Sequence, residues 1–362
     1  MNKQEIEELL TVSEPNCISV IVPTHRFSEG KSEDSLVLNK AIERVKNLMN
    51  HKQKPQNLLV SKLDELHKQI DFSHTKDGLG IYISPAVSRI VHFPFPVKEK
   101  INIGHHFDSR ELLYYKNISD YFVLSVSKKS IRLYSGKGDE LKEIVNDDFP
   151  RLYHETYEYA PPSIASSNSF SNKSYEKDKS VIQETRLKAF QRSADRLLGK
   201  YLDTQIPIIL SGGSKEVADY KKITKFQHFI IGSILGNYEY NKNEVADAAW
   251  DFMQEFTKRK RAILLSDFRE LVGQKRVARG IKETMNAAKE GKGSMLLVEK
   301  DLEYKKPLLK KSVTEHVPDS DPVEKIIKTV VEKKGKVTFM DKGTLEDFGG
   351  IALILRYSDA LS

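Results

Sequence analysis

The chain has 362 residues, 39% of them hydrophobic and 30% charged, and a formal net charge of +7. That length favours roughly two or three domains over a single core, and that balance excludes an intrinsically disordered chain. No apolar run approaches the ~20 residues a membrane helix needs. The start, Met1-Asn2-Lys3-Gln4-Glu5, carries no apolar leader, and the single cysteine, Cys17, has no partner for an intramolecular disulfide. A cytoplasmic protein without membrane contact is the expectation. The positive charge admits an anionic partner such as RNA, and equally a lysine-rich surface with no such role.

In chain order, Ile18-Ser19-Val20-Ile21-Val22 reads as a strand stopped by Pro23. Leu36, Leu38, Ala41, Ile42, Val45, Leu48 and Met49 recur at helical spacing behind a cap at Ser32 or Asp34. A second helix over about 57–70 aligns Leu59, Leu63, Leu66 and Ile70. Strands follow at Gly78 to Ile83 and Ser88 to Phe93, and Pro94 and Pro96 break the pattern.

Tyr121 to Val126 and Ser130 to Ser135 form a hairpin across Ser127-Lys128-Lys129, with a third strand over Lys142 to Val145. A stretch from Glu155 to Lys179, with Pro161-Pro162 and many Ser, Asn and Lys residues, reads as a long loop that is either functional or flexible. The helix after it has an apolar face of Leu187, Phe190, Ala194, Leu197 and Tyr201. Lys188, Arg192, Arg196 and Lys200 recur at every fourth residue on another stripe. Such a stripe neutralises phosphates, or it is a solvated face tempered by Glu184 and Asp195. Ile206 to Leu210 is a buried strand, and Ser211-Gly212-Gly213-Ser214 turns into another helix without the lysine and spacing of a phosphate-binding loop.

Glu244 to Arg261 predicts a helix, Ser266 to Gln274 a connection, and about 275–290 a second helix with Val277, Ile281, Met285 and Ala288 inward. Ser294 to Val298 is a strand, and residues 299–320 are a polar connection. Asp321-Pro322 opens a helix closed by Gly335, Lys336 to Met340 is a strand, and Phe348-Gly349-Gly350 leads into the strand Ile351 to Leu355. Helix and strand alternation argues a mostly parallel sheet covered by helices.

Familiar catalytic patterns are missing. There is no Gly-x-Ser-x-Gly elbow. Cys17 reads as a structural thiol, and His92, His105 and His106 lack companions at metal-ligand spacing. Asp71, Asp77 and Asp120 imitate a carboxylate cluster that nothing in the sequence brings together. Thr24-His25-Arg26 directly follows a strand, where binding residues of α/β folds gather. His25 and Arg26 there either contact a phosphate or a base, or solvate the turn. No cofactor or metal is implied.

The order of these segments resembles the class-1 peptide chain release factors of archaea and eukaryotes and their relative Pelota. It is more similar still to the bacterial archaeo-eukaryotic-type release-factor homologues. The resemblance is carried by Ile18 to Arg26, by Ile208-Ile209-Leu210-Ser211-Gly212-Gly213-Ser214, by Ala287-Ala288-Lys289-Glu290-Gly291 with Met295 to Val298, and by Phe348 to Tyr357. It implies an α/β protein of three consecutive domains: an N-terminal α/β domain at 1–116, a middle, RNase H-like domain at 117–238 with its hairpin and loop 155–179, and a C-terminal α/β domain at 239–362.

The resemblance also implies a ribosome- and tRNA-associated protein of rescue, hibernation or translation quality control, with a translational GTPase as a possible partner of the last domain. Lys188, Arg192, Arg196, Lys200, His25 and Arg26 are the RNA-binding candidates. The family's Gly-Gly-Gln, which places water against peptidyl-tRNA, would fall in Tyr159 to Lys179, where this chain has neither glycine nor glutamine. Catalysis of that kind is therefore not expected. Asn168, Ser169 and Lys173 occupy the position and would serve only a hydrolase working through a different loop. A protein-interaction adaptor is the third reading.

Overall fold

The computed structural model describes residues 3–26, 30–50, 56–153, 172–202, 206–236, 241–302 and 321–357. They form a mixed α/β protein with three sheets, in two compact units. One unit joins residues 1–117 to 260–362, and the other comprises 118–259. The sequence starts the third block at 239, whereas the described residues 241–259 belong with the middle unit.

The first block runs α1 (Lys3–Thr11), β1 (Cys17–Pro23), α2 (Lys31–Asn50), α3 (Gln56–Gln69), β2 (Gly78–Ile83), β3 (Ser88–Phe93), β4 (Lys100–Gly104) and α4 (Arg110–Lys116). Its sheet is wholly antiparallel in the order β3-β2-β1-β4, with Val20 opposite Ile81 and Ile101. β1 and β2 are almost entirely buried because both faces are covered, which explains their continuous apolar runs. Ile18, Val20, Val22, Leu79 and Ile81 pack against Leu38, Ala41, Ile42 and Val45 of α2 and Leu59 and Leu63 of α3. Helix α2 begins at Lys31, so Ser32 and Asp34 lie inside its first turn and do not cap it from outside.

The middle unit runs β5 (Asp120–Val126), β6 (Ser130–Lys137), β7 (Glu140–Glu143), β8 (Arg151–Leu152), α5 (Asn172–Leu198), β9 (Ile208–Gly212), α6 (Ser214–Ile223) and β10 (Ile230–Leu235). The sheet order is β10-β9-β5-β6-β7, with β8 beside β6. β5, β6 and β7 are antiparallel, and β9 and β10 continue the sheet in parallel, in keeping with the RNase H-like expectation. Ala194 and Leu198 of α5 and Val217 and Tyr220 of α6 cover one face. Val245, Ala249, Trp250 and Met253, from the start of α7 (Lys242–Gly273), cover the other.

Three expectations are corrected here. Helix α5 starts at Asn172, so residues 172–179 are helical rather than loop. Helix α7 is continuous to Gly273, because Leu264, Leu265, Phe268, Leu271 and Val272 carry an apolar stripe through the segment 266–274 read as a connection. Val277 belongs to β11 (Val277–Arg279), not to a helix, since Gly280 at φ 65° breaks the chain before α8 (Gly280–Lys289).

The last block continues with β12 (Gly293–Glu299), α9 (Pro322–Glu332), β13 (Lys336–Met340) and β14 (Ile351–Leu355). Its sheet, β11-β14-β12-β13, has one parallel pairing, β12 with β13, and two antiparallel ones. It is mixed, not mostly parallel: β14 returns from its turn antiparallel to β12. Asp321 caps α9 by accepting the Val323 N–H at 2.9 Å, and Pro322 opens the first turn. Val323, Ile326, Ile327 and Val330 then bury one face against β12 and β14. The glycine pair before β14 has φ 67° and 75°, and a Cβ on Gly350 would stand 2.6 Å from Leu302 Cδ1.

The first and last blocks exchange cations. Arg110, from α4, donates to the Leu302 carbonyl at 2.7 Å and to Asp321 Oδ2 at 3.0 Å. Lys300, just after β12, donates to the Pro96 carbonyl at 2.6 Å and lies over the rings of Phe95 and Tyr114, 4.5 and 4.8 Å from their centroids. Around Arg110, Glu324 accepts from the backbone N–H and hydroxyl of Ser109, and Lys100 binds Glu111 at 2.6 Å. Four carboxylates (Asp108, Glu111, Asp321 and Glu324) thus face two cations. Burial and the neighbouring Asp108 push the Glu111 carboxyl up to about 7, and the same two causes raise Glu324. Asp108 is held low despite burial, chiefly by Lys100.

Candidate nucleic-acid interface

The exposed side of α5 is built by subtraction. Of its two tempering carboxylates, Glu184 is bound to Lys188 at 2.7 Å, one turn away. Asp195 is 4% exposed and points inward. It accepts from the Tyr220 hydroxyl at 2.8 Å, the Thr224 hydroxyl at 2.6 Å and the Lys225 N–H at 3.1 Å. At the far end Lys200 binds Asp148 at 2.7 Å. Arg192 and Arg196 remain, both exposed and without an ion pair among the described residues. Lys173 lies in the first turn of α5, and Asn168 and Ser169 lie outside the described residues.

Nearby surfaces of the same unit are less suited to an anion. The carboxylate of Glu216 sits over Gly213, where a Cβ would meet its Oε2 at 2.3 Å, so the N-terminus of α6 already holds an anion of its own. A cavity of about 610 Å³ at the β5–β6–β7 edge is lined by Lys137, Lys142 and Lys242 but also by Asp120, Asp139 and Glu140, which balance them.

In the other unit, the end of β1 organises His25 and Arg26 differently. Arg26 is committed to Asp77, with its Nη2 at 3.0 Å and Nε at 3.4 Å from the two oxygens. His25 places Nδ1 2.6 Å from Asp34 Oδ1, and its own backbone N–H donates to Asp34 Oδ2 at 2.9 Å. Asp34 is completely buried while the His25 side chain is 50% exposed. Asp71 is engaged with Ser73 and His74, whose hydrogen bonds hold its carboxyl well below the usual range. Asp71 and Asp77 therefore serve separate partners. Cys17 is buried against the Glu14 and His105 carbonyls, and burial raises its thiol pKa. Among the described residues no three metal-ligating side chains gather, and no helix is long and apolar enough to cross a membrane.

The partnership of His25 with Asp34 escaped the sequence. Asp34 has a ready explanation there as a helix cap, and nothing in the spacing of nine residues shows that a helical first turn folds back on the strand end.

The comparisons with known proteins place the likeness in the middle of the chain. Residues 120–292 match the family model described as Bacterial archaeo-eukaryotic release factor family 3. Among solved structures, the chain is similar to an archaeal translation termination factor, aRF1, at 14% identity over 99% of both chains with a TM-score of 0.25. It is also similar to Dom34 of S. cerevisiae, a translation termination-like factor, at 16% identity over 78% of this chain and 74% of that one, TM-score 0.41. Ribosome-bound archaeal Pelota matches at 11% identity over 99% and 94%, TM-score 0.41. A search of curated proteins found no match.

Proposed function

We propose that the chain is a cytoplasmic, ribosome- and tRNA-associated protein of ribosome rescue, hibernation or translation quality control that works without Gly-Gly-Gln hydrolysis. Its RNA contact is the exposed face of α5, with Arg192 and Arg196 central and Lys188 and Lys200 flanking. The observation that carries this reading is the removal of both neighbouring carboxylates, Glu184 into a pair and Asp195 into the core, within the segment that matches the release-factor family model. Two exposed arginines without an ion pair among the described residues bind phosphate oxygens at little desolvation cost. The last block, from α8 to β14, is the proposed docking face for a translational GTPase, and the blocks 1–116, 117–238 and 239–362 are proposed as its evolutionary domains.

Sedimentation of the full chain with ribosomes over a salt series tests this. Association that weakens with salt, and weakens further by about tenfold in the Arg192→Glu, Arg196→Glu double variant, is expected. Absence from ribosomal fractions in growth, in stationary phase and after stalling overturns it.

A further inference from the structure

We propose that the end of β1 is a second RNA-binding site, in which His25 Nε2 recognises the ribose–phosphate backbone of a single strand. Two oxygens of one fully buried carboxylate are spent on this single residue, one on its backbone N–H and one on its ring. The Thr75 hydroxyl, within hydrogen-bond distance of the Phe72 carbonyl at 3.0 Å and the His25 carbonyl at 3.1 Å, lies against the same residue from its other side. Gly30, at φ 92°, closes over the ring so tightly that a Cβ would stand 2.7 Å from its Cγ and Cδ2. A histidine that merely solvates a turn does not need its ring clamped at one nitrogen, at its backbone and across its plane.

The clamp decides the chemistry. Asp34 occupies the Nδ1 side of the ring, so Nε2 is the nitrogen left to a ligand. It has no partner among the described residues, and half of the side chain is in water. Nε2 donates to an anionic oxygen when the ring is charged and accepts from a hydroxyl when it is neutral. A ribonucleotide backbone offers a phosphate oxygen and a 2′-hydroxyl side by side, and so satisfies the ring in either state. DNA offers only the first. Arg26 takes no part, because Asp77 holds it.

This inference rests on the RNA-associated reading above but concerns a different surface, and the two fail separately. The full chain, labelled at histidine Cε1, is titrated by NMR with oligouridylate, with oligodeoxythymidylate and with inorganic phosphate, the His25 signal being assigned by its loss in His25→Gln. Oligouridylate is expected to move the His25 signal and to bind His25→Gln about three- to tenfold more weakly. The DNA oligomer should move it less, and Asp34→Asn should abolish the response while the ring remains. A His25 signal that RNA leaves in place, or that phosphate alone moves as far as RNA does, overturns the proposal. If Arg192→Glu, Arg196→Glu leaves ribosomes while the His25 response persists, this site stands and accounts for its own RNA contact.

Discussion

Two sets of charges in this protein obey opposite rules. On α5, Arg192 and Arg196 stand exposed and without an ion pair among the described residues, so they contribute little to folding and can meet a ligand. Between the first and last blocks, Arg110, Lys100, Asp108, Glu111 and Glu324 are largely enclosed with Asp321 at their rim, and each is answered for by a neighbour or by a retained proton. The difference teaches where to look for each property: recognition at charges the fold leaves over, stability and pH dependence at charges it encloses.

The largest effect should come from breaking the enclosed set. Arg110→Met removes the partner of Asp321 and leaves buried carboxylates uncompensated, an expected loss of about 3–5 kcal/mol in urea unfolding. A loss below about 1 kcal/mol would mean the cluster is not closed to water. Next is Glu111. Its carboxyl is raised from an ordinary 4.5 to about 7, so between those pH values the folded chain holds a proton that the unfolded chain has released. Stability contributed by this group is full below about 4.5 and is lost as pH rises through 7, by at most roughly 3 kcal/mol. Glu111→Gln keeps the neutral form and should flatten that decline; identical pH profiles for the two proteins would contradict it.

Lys300→Met should cost less, about 1 kcal/mol, since the aromatic faces of Phe95 and Tyr114 still gain an apolar contact when the cation is gone. The smallest change in stability belongs to the exposed set. The double glutamate variant at 192 and 196 should unfold within ~0.5 kcal/mol of the wild type. Its salt dependence of RNA binding should become shallower by about 1.4 in log–log slope, at ~0.7 per phosphate contact. An unfolding shift as large as that of Arg110→Met would erase the distinction between the two regions.

Much of this was readable from residue order, and the failures have physical reasons. β1, β2, β5, β6, β12, β13 and β14 announce themselves by apolar runs bounded by turns, and α9 by Asp321-Pro322 and an apolar stripe. β4 and α4 went unseen because the first is short and half-buried and the second buries Arg110 and Glu111, residues that read as surface. The basic stripe of α5 was visible, but its net charge was not. Whether Asp195 neutralises the arginines depends on Tyr220, Thr224 and Lys225, about 25 to 30 positions away, which turn it inward. Likewise the place of His25 after a strand is legible in the sequence, and its clamp, built from Asp34, Thr75 and Gly30, is not.

The cation exchange also sets a timetable. Arg110 and Asp321 are 211 positions apart, so during synthesis the first block emerges with its guanidinium and acids exposed while the whole middle unit is still being made. Until α9 arrives, Arg110 must stay hydrated, and the first block cannot bury that face without leaving a charge unmatched. The middle unit, continuous in sequence, is under no such wait. The chain should therefore mature out of numerical order, with the segment made second completing its fold before the segment made first, and a nascent chain stopped near residue 260 should show protease protection in 118–259 ahead of 1–117.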